Sequence, residues 1–96
     1  MLLKFGVDIS RLRPPIRKKL NLIENIVVQH SMKEAVVTST YEGTHSPRSL
    51  HYANLAIDLR NPDKIQSILS DLKSRLGKDF DVVGEHDHIH IEYDPK

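Results

Sequence analysis

The chain has 96 residues, 39% hydrophobic and 28% charged, with 14 Lys or Arg against 13 Asp or Glu. That length suits one domain, spanning 1–96, with a modest core, and the near-neutral balance argues against a strongly basic nucleic-acid binder. Cysteine is absent, which excludes disulfides and thiolate metal sites and leaves His, Asp and Glu for any transition metal.

Met1 to Gly6 lacks the long apolar core and small-residue cleavage site of a secretory signal, so synthesis in the cytoplasm is expected. No apolar run is long enough to span a bilayer, so membrane insertion is not expected. A monomer is expected. Basic residues cluster at Arg11, Arg13, Arg17, Lys18 and Lys19. They read as the solvated face of a helix start, with a polyanion patch as the minority reading.

Pro14-Pro15 marks a boundary, because proline disfavours helix before it and is tolerated in a first turn. Ile16, Leu20, Ile23 and Val27 then recur at helical spacing and predict an amphipathic helix over 15–30. Residues 34–41 are rich in β-branched residues and predict a strand. Residues 42–50 hold Gly43, Ser46 and Pro47 and read as a loop. A second strand is predicted over 55–59. Asn61 is the expected cap of a second helix, with Pro62 at its first position. Ile65, Ile68, Leu69, Leu72 and Leu76 form its apolar stripe, and Gly77 ends it. Residues 80–83 and 88–93 predict two strands, antiparallel neighbours joined around 84–87. The expected fold is α+β, with two helices on a small, largely antiparallel sheet of about four strands.

Two stretches carry candidate chemistry: Ser49 to Asp58, and Asp87-His88-Ile89-His90. Strand residues two apart share a face, so His88 and His90 project together. His51 and Asp58 are seven apart, and an unbroken strand would set them on opposite faces. A bend at Asn54, a residue type that tolerates left-handed backbone, would bring them round. Two imidazoles and one carboxylate with a fourth position open form a catalytic zinc set. Singly, each residue has a plainer reading. A lone strand His is more often structural, and a lone Asp at a strand end is more often a cap or surface charge.

The Ser49-x-His51-x-x-Asn54-x-Ala56-x-Asp58 stretch resembles the Ser-x-His-x-x-Gly-x-Ala-x-Asp signature of D-alanyl-D-alanine carboxypeptidase-like zinc peptidases. Their clan includes lysostaphin-type endopeptidases, the hedgehog signalling domain and phage endolysins. His88-Ile89-His90 is similar to the clan's His-x-His motif. The resemblance covers roughly 34–94 and is closest to short bacteriophage-encoded members, with Asn54 where the pattern has glycine. It implies a Zn2+ hydrolase with ligands His51, Asp58 and His90, acting on peptidoglycan peptides at the bacterial cell wall. It implies a carboxylate general base at Asp87, with Glu85 as the substitute, and His88 bonding the substrate or the tetrahedral intermediate. Ser49 takes the substrate-side position. Arg48 and Arg60 suit a substrate carboxylate, although solvated surface positions are the commoner reading. His45 is placed to line the cleft, with a single loop hydrogen bond as the plainer alternative.

Around these, His86 reads as a turn residue and His30 as a helix-end His favoured by the dipole. Tyr41 and Tyr52 read as cover for the core edge. Glu92 reads as solvated or ion-paired, or else as a group orienting a neighbouring ligand. Two other functions fit part of the pattern. A histidine-hydrophobe-histidine nuclease would use Tyr93 as nucleophile, but needs that tyrosine on a separate helix. A non-enzymatic phage or accessory domain would keep the zinc site as a staple for the fold.

Overall fold

The computed structural model describes residues 1–40 and 54–95. A two-residue strand β1 (Leu2–Leu3) precedes a one-turn helix α1 (Pro14–Arg17) and a helix α2 (Leu20–Ser31). Strands β2 (Val36–Ser39) and β3 (Ala56–Arg60) are followed by helix α3 (Ile65–Leu76), β4 (Phe80–Gly84) and β5 (His88–Tyr93). The five strands form one mixed sheet in the order β1-β2-β3-β5-β4. β1 runs parallel to β2, and the other pairs are antiparallel. The fold is thus α+β as expected, but with five strands rather than about four.

Strand alternation sorts the residues. Ile57 and Leu59 on β3 lie opposite Ile91 and Ile89 on β5, and all four are almost completely buried. Val37 on β2 and Val82 on β4 join the same face by register. The face meets the stripes Ile23, Ile26 and Val27 of α2 and Ile68, Leu72 and Leu76 of α3 in one apolar cluster. Partners three and four residues apart on each helix make these stripes, as an amphipathic helix requires.

Five points differ from expectation. The predicted helix over 15–30 is two helices. Lys18 and Lys19 at the junction keep right-handed backbone, with φ −64° and −96°. The apolar phase therefore runs through the break, and periodicity does not register it. β1 was not anticipated, because two residues carry no pattern. It exists through Leu2 N–H to Ala35 O at 2.8 Å and Lys4 N–H to Val37 O at 2.9 Å. The strand predicted over 34–41 shortens to Val36–Ser39, and the one over 55–59 shifts by one residue to Ala56–Arg60.

Finally, Asn61 does not cap α3. Its Nδ2–H donates to the His86 carbonyl oxygen at 3.2 Å, tying the end of β3 to the turn between β4 and β5. Lys64 precedes the helix instead, in left-handed backbone at φ 63° and without a side-chain cap. That conformation costs about 1–2 kcal/mol for a non-glycine residue. Gly77, at φ 87°, ends the helix as expected.

Ile57 is fully buried on the central strand of this cluster. Its replacement by Ala should cost about 2–5 kcal/mol through lost contact and an unfilled cavity. Urea unfolding followed by circular dichroism measures this; a loss below about 1 kcal/mol would mean the strand is not in the core.

Candidate functional site

The polar face of the sheet is the complement of the core face. Asp58 on β3 lies directly opposite His90 on β5, and Arg60 lies opposite His88. Asp81 on β4 lies opposite Glu92, and Val83 opposite His90. Side chains opposite one another on an antiparallel pair share a face. Register alone therefore gathers Asp58, Arg60, His88, His90, Glu92 and Asp81 on one side.

Asp58 is the most enclosed of these, at 8% exposure. Its Oδ1 lies 3.1 Å from His90 Nδ1 and 3.8 Å from His88 Nε2. The other ring nitrogen of His90, Nε2, lies 2.6 Å from Glu92 Oε1. His90 is thus held between two carboxylates. The hydrogen bond with Asp58 is the largest cause that raises its pKa above the ordinary histidine value; Glu92 adds to it, and burial opposes it. When protonated, the ring donates from both nitrogens.

His88 Nδ1–H donates to Asp87 Oδ1 at 2.6 Å. That bond holds the Asp87 carboxyl below its ordinary value, although the side chain is largely in solvent. With Nδ1 engaged, Nε2 is the His88 atom that faces Asp58. Glu85 is exposed, and its backbone N–H donates to the His88 carbonyl at 2.8 Å, closing the three-residue turn between β4 and β5. His86 is exposed in that turn, and its carbonyl receives the Asn61 bond.

The donor set can be compared with a zinc site. Two ligand atoms each about 2.0–2.2 Å from a tetrahedral zinc lie roughly 3.3 Å apart. The separation of Asp58 Oδ1 and His90 Nδ1, 3.1 Å, is close to that. Metal-binding histidines usually give their second ring N–H to a carboxylate, as His90 does to Glu92. The spacing of these two groups is compatible with a shared ion, and it is equally that of the hydrogen bond between them. Asn54 is left-handed at φ 59°, which is the backbone expected at the bend before Asp58. The third proposed ligand, His51, lies outside the described residues, as do Ser49, Arg48, His45, Tyr41 and Tyr52.

Three other sequence readings meet the structure. Tyr93 falls on the opposite face from His88 and His90, edge-on to Phe80 with ring centroids 5.3 Å apart. A nuclease needs its tyrosine against the metal, so that function loses its nucleophile. His30 sits in the last turn of α2 as expected, and its Nε2 lies 2.9 Å from Asp71 Oδ2 on α3. Glu92 is ion-paired, one of its expected readings, and it shares a face with its partner His90. The period of two already places it there, and that was the available signal. The acidic group Asp81, Glu92 and Asp94, with oxygens within 4.8 Å of one another, was not anticipated. Exposed carboxylates gather in this way without an ion, so the group assigns nothing by itself.

No protein-family model matches the chain, and no curated protein matches it. No helix among the described residues is long and apolar enough to cross a membrane.

The raised pKa has a definite sign. In the metal-free chain the His90 proton stabilises the fold fully below about pH 6.5, the unfolded value. The contribution is lost as pH rises through the higher folded value. Asp58→Asn removes the largest cause and should lower the His90 pKa. Titration of the His90 ring by NMR in chelator checks this, and an unshifted pKa in the variant would contradict the assignment.

Proposed function

We propose that this chain is a zinc-dependent peptidase of the D-alanyl-D-alanine carboxypeptidase-like clan, cleaving peptide bonds in peptidoglycan stem or cross-link peptides. The observation that carries the reading is the pairing of Asp58 with His90 across β3 and β5, at ligand-like separation. It is supported by the order of the motif residues and by the carboxylate behind His90. The hedgehog-like and carboxypeptidase-like fold belongs to the same proposal.

His51, Asp58 and His90 would hold the zinc, and the ion would supply Lewis-acid polarisation of the scissile carbonyl and a more acidic water. The protein residues do the rest. Glu92 accepts the Nε2–H of His90, fixing the tautomer that leaves Nδ1 free for the ion. Asp87 accepts the Nδ1–H of His88 and so turns Nε2 toward Asp58. When the ring carries a proton there as well, that nitrogen would donate to the substrate oxygen. The base takes a proton from the attacking water and returns it to the leaving amine. Asp87 is assigned that role from its place in the motif, three residues before His90, and Glu85 is the substitute from the same turn.

Asp58→Ala and His90→Ala should each lower zinc affinity by a factor of about 100 or more, read by competition with a chromogenic chelator. Zinc-loaded protein should release fragments from muropeptides, and Asp87→Asn should slow release by about 10²–10⁴-fold. Equal rates for the two forms would remove Asp87 from the mechanism. Tight zinc binding without cleavage of any wall chemistry would favour the non-enzymatic domain, in which the ion only staples the fold.

A further inference from the structure

Three lysines from two separate stretches of chain line one pocket. Lys18 and Lys19 come from the junction of α1 and α2, and Lys78 from the turn between α3 and β4. The pocket holds about 530 Å³, and small-molecule sites usually run about 300–1,000 Å³. Phe80 and Tyr93, both half-buried, line it too, and Asp79 is the carboxylate among its described lining residues. Tyr93 pairs with Phe80 on the sheet face away from His90, so this pocket is separate from the Asp58–His90 site. Among the described residues Lys33 is ion-paired, with Asp63 at 3.4 Å, whereas Lys18, Lys19 and Lys78 make no ion pair. Lys78 follows the C-terminus of α3, where the helix dipole favours a cation. That account fails for Lys18 and Lys19. They stand before the first turn of α2, where the dipole disfavours a cation, and no acidic residue in that turn offsets them. Like charges gathered at one cavity repel each other, and a bound anion relieves them.

We propose that this pocket binds a 5′-ribonucleotide, with its phosphate on the three lysines, its base against Phe80 and Tyr93, and a ribose hydroxyl donating to Asp79. The inference goes beyond the peptidase reading and does not rest on it. Each kind of lining group suits a different part of that ligand. The lysine ammonium is a compact point charge that serves phosphate well, whereas a flat carboxylate is better matched by an arginine fork. Phe80 and Tyr93 hold each other edge-on, with ring centroids 5.3 Å apart, and aromatic side chains give a flat base a surface to stack on. An ionised Asp79 repels phosphate and accepts only from donors. A ribose supplies such donors; inorganic phosphate at neutral pH and an acidic side chain do not. The net charge of the whole chain is only +1, so the cation cluster is local. It suits a ligand with a single phosphate group rather than a long polyanion, whose affinity grows with the number of phosphates neutralised.

The test titrates the full chain in chelator, so that phosphate finds no metal. Adenosine 5′-monophosphate, adenosine and inorganic phosphate are added in turn while the ring NMR signals of Phe80, Tyr93 and His90 are followed. The monophosphate should shift Phe80 and Tyr93 saturably and leave His90, on the other face, in place. Adenosine and inorganic phosphate should each bind at least about tenfold more weakly, since each lacks one half of the contacts. The surface variant Lys18→Gln/Lys19→Gln, with its fold checked by circular dichroism, should weaken monophosphate binding about tenfold or more, and Lys78→Gln should do so to a lesser degree. The 2′-deoxy form should bind severalfold less tightly than the ribonucleotide, and that difference should vanish in Asp79→Asn. Inorganic phosphate binding as well as the monophosphate, with the ring signals unmoved, would mean an unspecific anion only and would overturn the site. So would unchanged affinity in the double lysine variant. Binding of a single-stranded oligonucleotide but not of the monophosphate would also overturn it, in favour of a nucleic-acid surface.

Discussion

The ladder between β3 and β5 is the constraint on which the rest depends. Its register puts Ile57 and Leu59 against Ile91 and Ile89 on one side, and Asp58 against His90 on the other. A slip of one residue would turn the isoleucines to the polar face and push an Asp and two His into the apolar cluster. Burying unpaired polar and charged groups costs several kcal/mol. The apolar pairs therefore enforce the polar pairing. The polar face is positioned by the residues on its reverse side.

On that face the problem is one of charge. Asp58 is nearly enclosed, and a carboxylate in such a place needs a positive partner. His90 supplies it through one ring nitrogen while Glu92 holds the other. A divalent ion placed between Asp58 and His90 would take over the same compensation, at the cost of one proton. The pair can thus persist with either occupant, and the core on the other side requires neither. Small domains with a cluster of this kind are not obliged to wait for an ion before they fold, unlike those whose core is the metal site itself.

Much of this was legible in the sequence, and the exceptions are physical. Ile65, Ile68, Leu69, Leu72 and Leu76 announce α3 because burial on one helical face repeats every three to four residues. His88 and His90 announce a shared strand face for the same kind of reason. Their opposition to Asp58 across the sheet follows only from long-range pairing, which no local pattern encodes. β1 is invisible for that reason too. Asn61 misled because a capping residue and a residue that reaches across to another strand look alike: an Asn before a Pro serves either purpose, and its amide is spent on the His86 carbonyl. The split between α1 and α2 was hidden because Lys18 and Lys19 stay in right-handed backbone. Asp87 was legible as a carboxylate near the site, but not as the partner of His88, since a contact between adjacent residues depends on the turn that carries them.

The turn between β4 and β5 sits apart from these dependencies. Glu85, His86 and Asp87 are exposed and are anchored by main-chain atoms, through the Glu85 N–H and the His86 carbonyl. Their side chains contribute nothing to the apolar cluster. Sequence drift there leaves the apolar cluster untouched, whereas drift along β3 alters the core and the polar face together. Descendants of this chain would be expected to vary these three turn side chains freely while the central strand stays frozen.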